Sequence, residues 1–288
     1  MSEYLHDGAF TQRLRLDRVD RDIFTGWCHA GAPLRAFGGQ VAAQALVAAG
    51  HTVDDPDRQV HSLHGYFLRA GRTTDPIVYL VDRVRDGRSF STRRVTALQY
   101  GETIFTMAAS FAISEPTLEH QVQAPVVPGP EELPETHLPM LTDDPNTSHE
   151  GFPARELLQL RFVDSETVAK ATNGSAQRIA WVRTLEPLPD ERMIHICTLA
   201  YFSDLTLIRT ILQRHGGREE NLELEIASLD HAMWFHSAFR CDDWMMFVQD
   251  SPVARGGHGF ARGEFYRRDG LLVASAAQEA LLRRPRRS

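Results

Sequence analysis

Cysteine, lysine and long apolar runs are all scarce in this sequence. The three cysteines, Cys28, Cys197 and Cys241, lie far apart in no paired spacing, which argues against a disulfide framework or a metal site and predicts a reducing, cytoplasmic location. No apolar run approaches the ~20 residues of a membrane-spanning helix. The N-terminus shows no basic start followed by an apolar core, so we expect neither a secretory signal nor stable membrane insertion.

Positive charge is also in short supply, and it is carried almost entirely by arginine. The net charge is −7, which argues against a nucleic-acid partner, and Lys170 is the only lysine. The abundance of arginine has two readings that composition does not separate. It reflects either genome composition or the binding of phosphate groups, because the planar guanidinium binds phosphate well.

The 288 residues are 42% hydrophobic and 24% charged, as in an ordinary globular protein with a sizeable core. Residues 115–151 differ from the rest, because they contain seven prolines and no sustained helical or strand periodicity. Proline lacks an amide donor and disfavours helix in the residue before it, so this stretch predicts an extended linker. It divides the chain into two arms of similar size, residues 1–114 and 152–288.

Each arm repeats the same order of predicted elements: a strand, a long helix, and a run of antiparallel strands. Tyr100-Gly101 and Asp269-Gly270 mark matching turns before the last strand of each arm. In the first arm the strand, the helix and the later strands are predicted at Leu14–Phe24, Phe37–Gly50, Val60–Arg69, Pro76–Arg85, Arg88–Tyr100 and Thr103–Ile113. In the second arm they are predicted at Arg178–Leu185, Thr198–His215, Leu224–His236, Trp244–Gln249, Gly259–Arg267 and Leu271–Leu282.

A lone helix must bury its apolar stripe, and an antiparallel sheet has one face free to cover it. The pattern therefore predicts an α+β protein in which each arm wraps a curved antiparallel sheet around a long helix. Two such units side by side would form one continuous core. This is a duplication and not a parallel βαβ fold.

Three polar residues of the second arm interrupt apolar or small-residue patterns. Asp204 lies on the apolar stripe of the predicted helix, although a helix cap or an exposed acid would also explain it. Ser228 shares a strand face with Asp230 and Trp234 if alternation is strict, and it is either a small filler or a polar group in use. Gln278 lies on a face of small residues, where it either lines a pocket or marks a strand end open to solvent.

An acid, a hydroxyl and an amide from three elements can together hold and polarise a water molecule. Asp204 would take the proton, Ser228 would orient the water, and Gln278 would bind the water or a developing oxyanion. The neighbouring pair Asp230-His231 looks catalytic at first sight. Adjacent strand residues point to opposite faces, so these two side chains are not expected to cooperate.

These residues and several longer segments resemble the type II (TesB-like) acyl-CoA thioesterase family. The resemblance covers nearly the whole chain outside the linker. It implies a double hot-dog fold, hydrolysis of fatty acyl-CoA to free acid and coenzyme A, no metal or other cofactor, and a catalytic set at Asp204, Ser228 and Gln278. The family often has threonine where this chain has Ser228. The matching segments are LRAFGGQVAAQAL (34–46), VHSLHGYFLR (60–69), RDGRSFSTRRVTALQYG (85–101), LAYFSDL (199–205), SLDHAMWFH (228–236) and ARGEFYRRDGLLVAS (261–275).

Aligning the two arms predicts one active site per chain. The residues opposite the catalytic set are Gln44, Ser62 and Ala109, so the first arm lacks both the acid and the distal amide. We expect this arm to help form the acyl pocket and the coenzyme A groove. His61 and His64 lie beside the degenerate site, where a structural role is expected rather than a contact with substrate.

Two other functions are compatible with the architecture. An enoyl-CoA hydratase of this fold would carry a histidine five residues after the acid, but Arg209 stands there. A non-catalytic acyl-CoA binding protein would not need the retained acid, hydroxyl and amide. Hot-dog sheets commonly pair edge to edge, so we expect a homo-oligomer. Candidates for the coenzyme A phosphates, unless simply solvated, are Arg88, Arg93, Arg94 and the C-terminal residues 283–288.

Overall fold

A single antiparallel sheet, with helices packed on its inner face, makes up most of the molecule. The computed structural model describes residues 10–32, 35–135, 157–216 and 224–284. In these ranges the sheet has thirteen strands. No helix among them is both long enough and apolar enough to cross a membrane.

The first half of the chain supplies the elements up to the linker. The longest helix here, α2, runs from Gly38 to Gly50 and is buried along most of its length. The elements, in order, are α1 (Phe10–Leu14), β1 (Asp17–Asp20), β2 (Ile23–Gly26), β3 (Ala30–Ala32), β4 (Arg35–Ala36), α2 (Gly38–Gly50), β5 (Arg58–Phe67), β6 (Ile77–Asp86), β7 (Phe90–Gln99) and β8 (Glu102–Ile113).

The second half repeats this plan with a helix broken in two. Among its described residues the elements, in order, are β9 (Leu158–Phe162), α3 (Ser165–Thr172), β10 (Arg178–Thr184), α4 (Arg192–Ser203), α5 (Leu207–Gln213), β11 (Glu225–Ser228), β12 (Asp230–Phe235), β13 (Met245–Arg255), β14 (His258–Arg267) and β15 (Leu272–Arg283).

The two halves form one continuous sheet, which confirms the predicted architecture. The strand order is β1-β2-β6-β7-β8-β5-β12-β15-β14-β13-β10-β9, with β11 paired to β15. The halves join where β5 pairs with β12, with Leu63 opposite Met233. Helices α2 and α4 pack against each other, and one hydrophobic core contains buried residues of both halves. This is a double hot-dog fold, with two helix-in-sheet units sharing a core.

Local chemistry explains most of these elements. Helix α2 is rich in alanine, the best helix former, and ends at Gly50. Strands β7 and β8 are joined by the two-residue turn Tyr100-Gly101, in which both residues have positive φ (51° and 76°). That conformation defines a type I′ turn, whose twist matches the twist of a hairpin. The hairpin predicted at this turn is confirmed.

Several predicted elements are wrong in detail. The strand predicted at Trp244–Gln249 continues to Arg255, and the strand predicted at Leu224–His236 is divided into β11 and β12. The strand predicted at Leu14–Phe24 is instead the end of α1 followed by the hairpin β1–β2, because Asp22 takes a left-handed conformation (φ 59°) and reverses the chain. The helix predicted at Thr198–His215 begins six residues earlier, at Arg192, and is interrupted after Ser203. The Ser203 hydroxyl lies 2.8 Å from the Ala200 carbonyl oxygen, a local bond that competes with helix continuation.

The described part of the linker, up to residue 135, crosses the outer face of the second half of the sheet. It has no strand and only one 3₁₀ turn, at Pro130–Glu132, as its prolines predict. The Trp181 indole donates to the Pro128 carbonyl (3.0 Å), and Val127 packs on a second apolar cluster around Trp181. The rest of the linker lies outside the described residues, and the domain boundaries at 114 and 152 stay a prediction.

Candidate active site

Asp204, Ser228 and Gln278 meet on the inner face of the sheet. The Gln278 amide nitrogen donates to Asp204 Oδ1 and to Ser228 Oγ, each at 2.7 Å. Ser228 Oγ lies 3.5 Å from the same carboxylate oxygen. The three side chains come from the end of α4, from β11 and from β15, so the structure brings together the three residues singled out from sequence. Gln278 is fully buried, and the other two are partly buried.

Ser228 reaches this face because the strand does not alternate strictly. Ser228 pairs with Ala280, whereas Ala232 pairs with Ala277, so the strand holds one residue more than its partner between these pairs. A bulge of this kind reverses which residues point inward. Ser228 therefore shares the inner face with His231 and Met233, and the face predicted for it, with Asp230 and Trp234, is wrong.

Asp204 lies at the C-terminal end of α4 and faces the N-terminus of α2. Helix α2 begins after Phe37 without a side-chain cap of its own, and the Gly39 amide donates to the Asp204 carboxylate. The Asp204 oxygen that does not bond Gln278, Oδ2, lies 2.9 Å from the position that a Cβ on Gly38 would take. The acid of the second half thus caps helix α2 of the first half, at the positive end of that helix dipole.

Burial sets the ionisation of this acid. Loss of solvent raises the pKa of Asp204 from 3.8 to about 6, and hydrogen bonds from Gln278, Gly39 and Ser228 oppose the rise. Charge without solvent is costly, and the hydrogen bonds recover only part of that cost. The result is a carboxylate that is ionised near neutral pH but more basic than a surface acid.

The glycine pair Gly38-Gly39 is the part of the site that sequence reasoning missed. A Cβ on Gly39 would lie 2.8 Å from the Tyr201 carbonyl oxygen, so glycine is needed for α2 to approach α4. Two glycines in the first turn cost a helix about 1 kcal/mol each relative to alanine. That unfavourable choice, just ahead of an alanine-rich helix, was the signal available in the sequence.

Aromatic residues of the first half border the same end of α2. A Cβ on Gly38 would lie 3.1 Å from the Phe67 ring, and Phe67 packs on Phe105 with ring centroids 4.8 Å apart. On the other side, the Tyr201 hydroxyl lies 2.8 Å from His29 Nε2. Residues of both halves therefore surround the acid, and the contribution of the first half to a substrate pocket stays a prediction.

In the first half, Gln44 occupies the place that the alignment gives to Asp204, and its amide is used structurally. Its nitrogen donates to the Arg13 and Trp27 carbonyl oxygens (both 2.9 Å), and its oxygen accepts from the Tyr79 hydroxyl (2.8 Å). The opposing Ser62 and Ala109 are both buried. The first half therefore has an amide where the second half has the acid Asp204.

The two histidines beside this degenerate site make ordinary structural contacts. His61 Nε2 lies 2.9 Å from Ser110 Oγ, and its ring packs against Phe90. His64 is exposed on the opposite face and packs edge to face on Trp234. These contacts agree with the structural role expected for both residues.

The arginines proposed to bind the coenzyme A phosphates include one buried residue and several exposed ones. Arg93 is buried, and its guanidinium binds Thr52, Asp86 and the Arg85 carbonyl oxygen, so it is neither solvated nor available to a phosphate. Arg94 is exposed and pairs with Asp82. The exposed surface also includes Arg88, Arg283 and Arg284, whereas residues 285–288 lie outside the described part of the chain.

The contrast between Arg93 and its neighbour predicts a large difference in stability. Arg93→Met leaves the Thr52 hydroxyl and carbonyl without their buried donor, and we expect a loss of about 3–5 kcal/mol in the free energy of unfolding. Arg94→Met breaks only an exposed pair, and we expect a loss of about 0–1 kcal/mol. Urea unfolding of both variants measures this difference, and equal losses would contradict the structural role of Arg93.

The fold and this site define a double hot-dog protein with a buried acid, hydroxyl and amide, and comparisons with known proteins agree. An acyl-CoA thioesterase family matches residues 155–281, and an acyl-CoA thioesterase N-terminal domain matches residues 24–112. An acyl-CoA thioesterase II from Mycobacterium marinum superposes with a TM-score of 0.82 at 42% identity, covering 95% of this chain and 98% of the other. A hot-dog protein from Alicyclobacillus acidocaldarius shares the fold, with a TM-score of 0.74 at 20% identity over 95% and 97% of the chains.

Curated relatives match over nearly the full length. Acyl-coenzyme A thioesterase 8 of Rattus norvegicus is 39% identical, covering 98% of this chain and 91% of that protein. Acyl-CoA thioesterase 2 of Haemophilus influenzae is 35% identical, covering 94% and 95%. The chain belongs to the acyl-CoA thioesterase family, a family of thioester hydrolases.

Proposed function

We propose that this protein hydrolyses fatty acyl-CoA to the free acid and coenzyme A by attack of a water molecule that Asp204 deprotonates. The observation that carries the proposal is the meeting of Asp204, Ser228 and Gln278 at the N-terminus of α2. The family membership supports the substrate class, and the geometry supports the mechanism.

The carboxylate oxygen that does not bond Gln278 or Ser228, Oδ2 of Asp204, is the base in this mechanism. It lies beside Gly38, where an added Cβ would stand only 2.9 Å from it, so a glycine keeps this oxygen accessible to the proposed water. The water oxygen bonds to the carbonyl carbon while its proton passes to Asp204. Collapse of the tetrahedral intermediate breaks the carbon–sulfur bond, and the coenzyme A thiolate receives the proton. A thiol has a pKa near 8.5, so it leaves readily and a weak base suffices.

Ser228 and Gln278 fix the positions of the water and of the Asp204 carboxylate relative to each other. Both amide hydrogens of Gln278 are directed to Asp204 and Ser228, so Ser228 Oγ accepts from the amide. The Ser228 hydroxyl hydrogen makes only a long bond to Asp204 Oδ1 (3.5 Å) and turns to the water when the water is bound. The positive end of the α2 dipole faces the developing oxyanion and stabilises it. Ser228 itself is not a nucleophile in this proposal, because the nearby His231 is bonded to Ser203 at 2.7 Å.

The pH dependence of turnover tests the base. Asp204 must be ionised to accept a proton, and its pKa is raised to about 6 by burial. We expect kcat to fall tenfold per pH unit below about pH 6 and to be level above it. Stopped-flow thiol release between pH 4.5 and 8 measures the profile, and a kcat that is independent of pH across this range would exclude Asp204 as the base.

A panel of acyl-CoA substrates separates the three functions considered. Thiol release, read with a thiol-reactive dye, is expected from saturated acyl-CoA of several chain lengths. Hydration of a trans-2-enoyl-CoA without thiol release would instead identify a hydratase, and binding without turnover would identify a carrier. Labelling of Ser228 by a fluorophosphonate would replace the water mechanism with a covalent one.

We propose a cytoplasmic location and a homo-oligomeric state for this enzyme. Cys28, Cys197 and Cys241 are all buried free thiols, and burial raises the pKa of each, as suits a reducing compartment. Among the described strands the sheet ends in β1 and β9, and an edge strand of this kind allows a second copy to add its own sheet. Light scattering after size exclusion measures the oligomeric state.

A further inference from the structure

A histidine lies beside the buried amide of the active site. His231 and Gln278 are on neighbouring strands, β12 and β15, where the adjacent residues Ala232 and Ala277 pair directly. Both side chains point to the inner face, and each is almost completely buried. The proposed mechanism gives His231 no part in the proton transfer.

The hydrogen bonds around this pair leave one atom of each side chain unsatisfied. His231 Nε2 lies 2.7 Å from Ser203 Oγ, and the Gln278 nitrogen is directed to Asp204 and Ser228. Within the described ranges, His231 Nδ1 and Gln278 Oε1 are each buried with no hydrogen-bond partner. Burial lowers the pKa of His231, and the neighbouring Gln278 side chain raises it in part, so the amide and the ring are close enough to interact.

A buried oxygen needs a donor, and among the described residues the imidazole of His231, on the neighbouring strand, can supply one. Gln278 Oε1 accepts hydrogen bonds and cannot donate them, so the ring must carry its hydrogen on Nδ1. Nε2 is then an acceptor, and in this tautomer the single hydrogen of the Ser203 hydroxyl turns from the Ala200 carbonyl oxygen, 2.8 Å away, to Nε2, 2.7 Å away. The hydrogen bonds thus run in one direction, from Ser203 through His231 and Gln278 to Asp204.

We propose that His231, as the Nδ1–H tautomer held by Ser203, is a positioning residue that keeps the Gln278 amide nitrogen directed at Asp204 and Ser228. This inference rests on the proposed function. While Asp204 is ionised, its own charge favours that orientation. Once Asp204 has taken the proton from water, its hydroxyl could donate to a flipped Gln278 oxygen, and the site would lose its donor. The bond from His231 opposes this flip.

The ring is neutral throughout this cycle. Burial lowers the pKa of His231 to about 4, below that of Asp204. Among the described neighbours, Tyr201 on α4 is the other titratable group close to the acid, and burial raises its pKa so that it stays neutral. Helix α2 carries no charged residue, and Asp230 on the opposite face of β12 accepts from the Glu279 amide. Asp204 is therefore the group whose titration His231 influences.

Two substitutions of similar size distinguish the donor from mere packing. In His231→Asn the amide nitrogen takes the place of Nδ1 and keeps the donor to Gln278. In His231→Gln the amide takes the place of Nε2 and leaves Gln278 Oε1 without a donor. We expect H231N to retain kcat within about threefold, and H231Q to lose about 10- to 100-fold in kcat with little change in KM.

The pH profile adds a readout that a packing defect would not change. In H231Q the flipped amide accepts from protonated Asp204, which favours the protonated form. We therefore expect the acid limb of kcat to move to higher pH in H231Q and to stay in place in H231N. If the acid limb of kcat lies at the same pH in H231N and H231Q, the proposal is overturned, whatever the kcat of each variant.

Neutron diffraction from the wild-type protein tests the tautomer without any substitution. A deuteron on Nδ1 of His231, directed at Gln278 Oε1, is the expected result, and a deuteron on Nε2 would overturn the inference even if H231Q did not fold. This outcome is independent of the proposed function. Should the wild-type protein release no thiol from acyl-CoA, the function fails while the tautomer still decides how Gln278 is held.

Discussion

Replacing Asp204 with asparagine is expected to lower kcat for acyl-CoA at least about a thousandfold at pH 8, because an amide does not accept the proton from water. The hydrogen bond from Gln278 is retained by the asparagine oxygen, so KM is expected to change little. Asp82→Asn is the control for loss of a negative charge. Asp82 is exposed and pairs with Arg94, so we expect this substitution to leave kcat unchanged. The measurement is steady-state thiol release.

The same substitution is expected to stabilise the protein above pH 6. The folded-state pKa of Asp204 is about 6 against 3.8 in the unfolded chain, so the folded protein holds this proton more tightly. The contribution of Asp204 to the free energy of unfolding is therefore fully present below about pH 4 and is lost as the pH rises through about 6. The two limits differ by about 3 kcal/mol. The asparagine has no charge to desolvate but offers one acceptor oxygen instead of two, so we expect a net gain of about 1–2 kcal/mol.

Urea unfolding of wild type and D204N at pH 4 and pH 8 checks the sign. The gain should be present at pH 8 and absent at pH 4, where wild-type Asp204 is already protonated. In the thiol-release assay, a kcat of D204N above a tenth of the wild-type value would exclude Asp204 as the base. A gain of the same size at both pH values would show instead that the folded-state pKa of Asp204 is not raised.

Gly38→Ala is expected to reduce kcat about 100-fold with only a small change in thermal stability. The new Cβ would lie 2.9 Å from Asp204 Oδ2 and 3.1 Å from the Phe67 ring, so the carboxylate must move away from the position proposed for the water. A misplacement of about 1 Å is enough for a loss of this size. Alanine is a better helix former than glycine, which offsets part of the strain.

Gly50→Ala, at the other end of the same helix, is the matched control. Its Cβ would meet the end of the Met193 side chain, which is flexible and can move aside. We expect unchanged kcat for G50A and a clear loss for G38A, with similar melting temperatures for both. Full activity in G38A would show that the space beside Gly38 is not where the reaction takes place.

Much of the fold was predictable because it depends on short-range patterns. Strand-like runs predicted β5 to β8, β14 and β15 within a few residues, and the alanine-rich run predicted α2, whereas β13 continues six residues beyond its predicted end at Gln249. Gln278 was singled out because it interrupts a face of small residues, and that face is indeed buried. Such patterns need only the chain itself and the fact that one side of each element is covered.

Other features depended on bonds between distant parts of the chain. The interruption after Ser203 was not predicted, because the apolar stripe continues through Leu207 and Ile211 as if the helix were whole. The bulge at Leu229 was not predicted either. It is held by bonds from the Leu229 amide to the Glu279 carbonyl oxygen and from the Phe67 amide to the Leu229 carbonyl oxygen. The second of these partners lies in the first half of the chain.

The chain's own pattern of apolar, small and turn-forming residues determined a duplicated α+β architecture and the three polar residues of its second half. Tertiary structure decided how those residues work: it placed Asp204 against the Gly39 amide and removed enough solvent to raise the pKa of Asp204. The physical reason is that periodicity records which side of an element is covered. Hydrogen bonds and desolvation instead depend on which distant residues cover it.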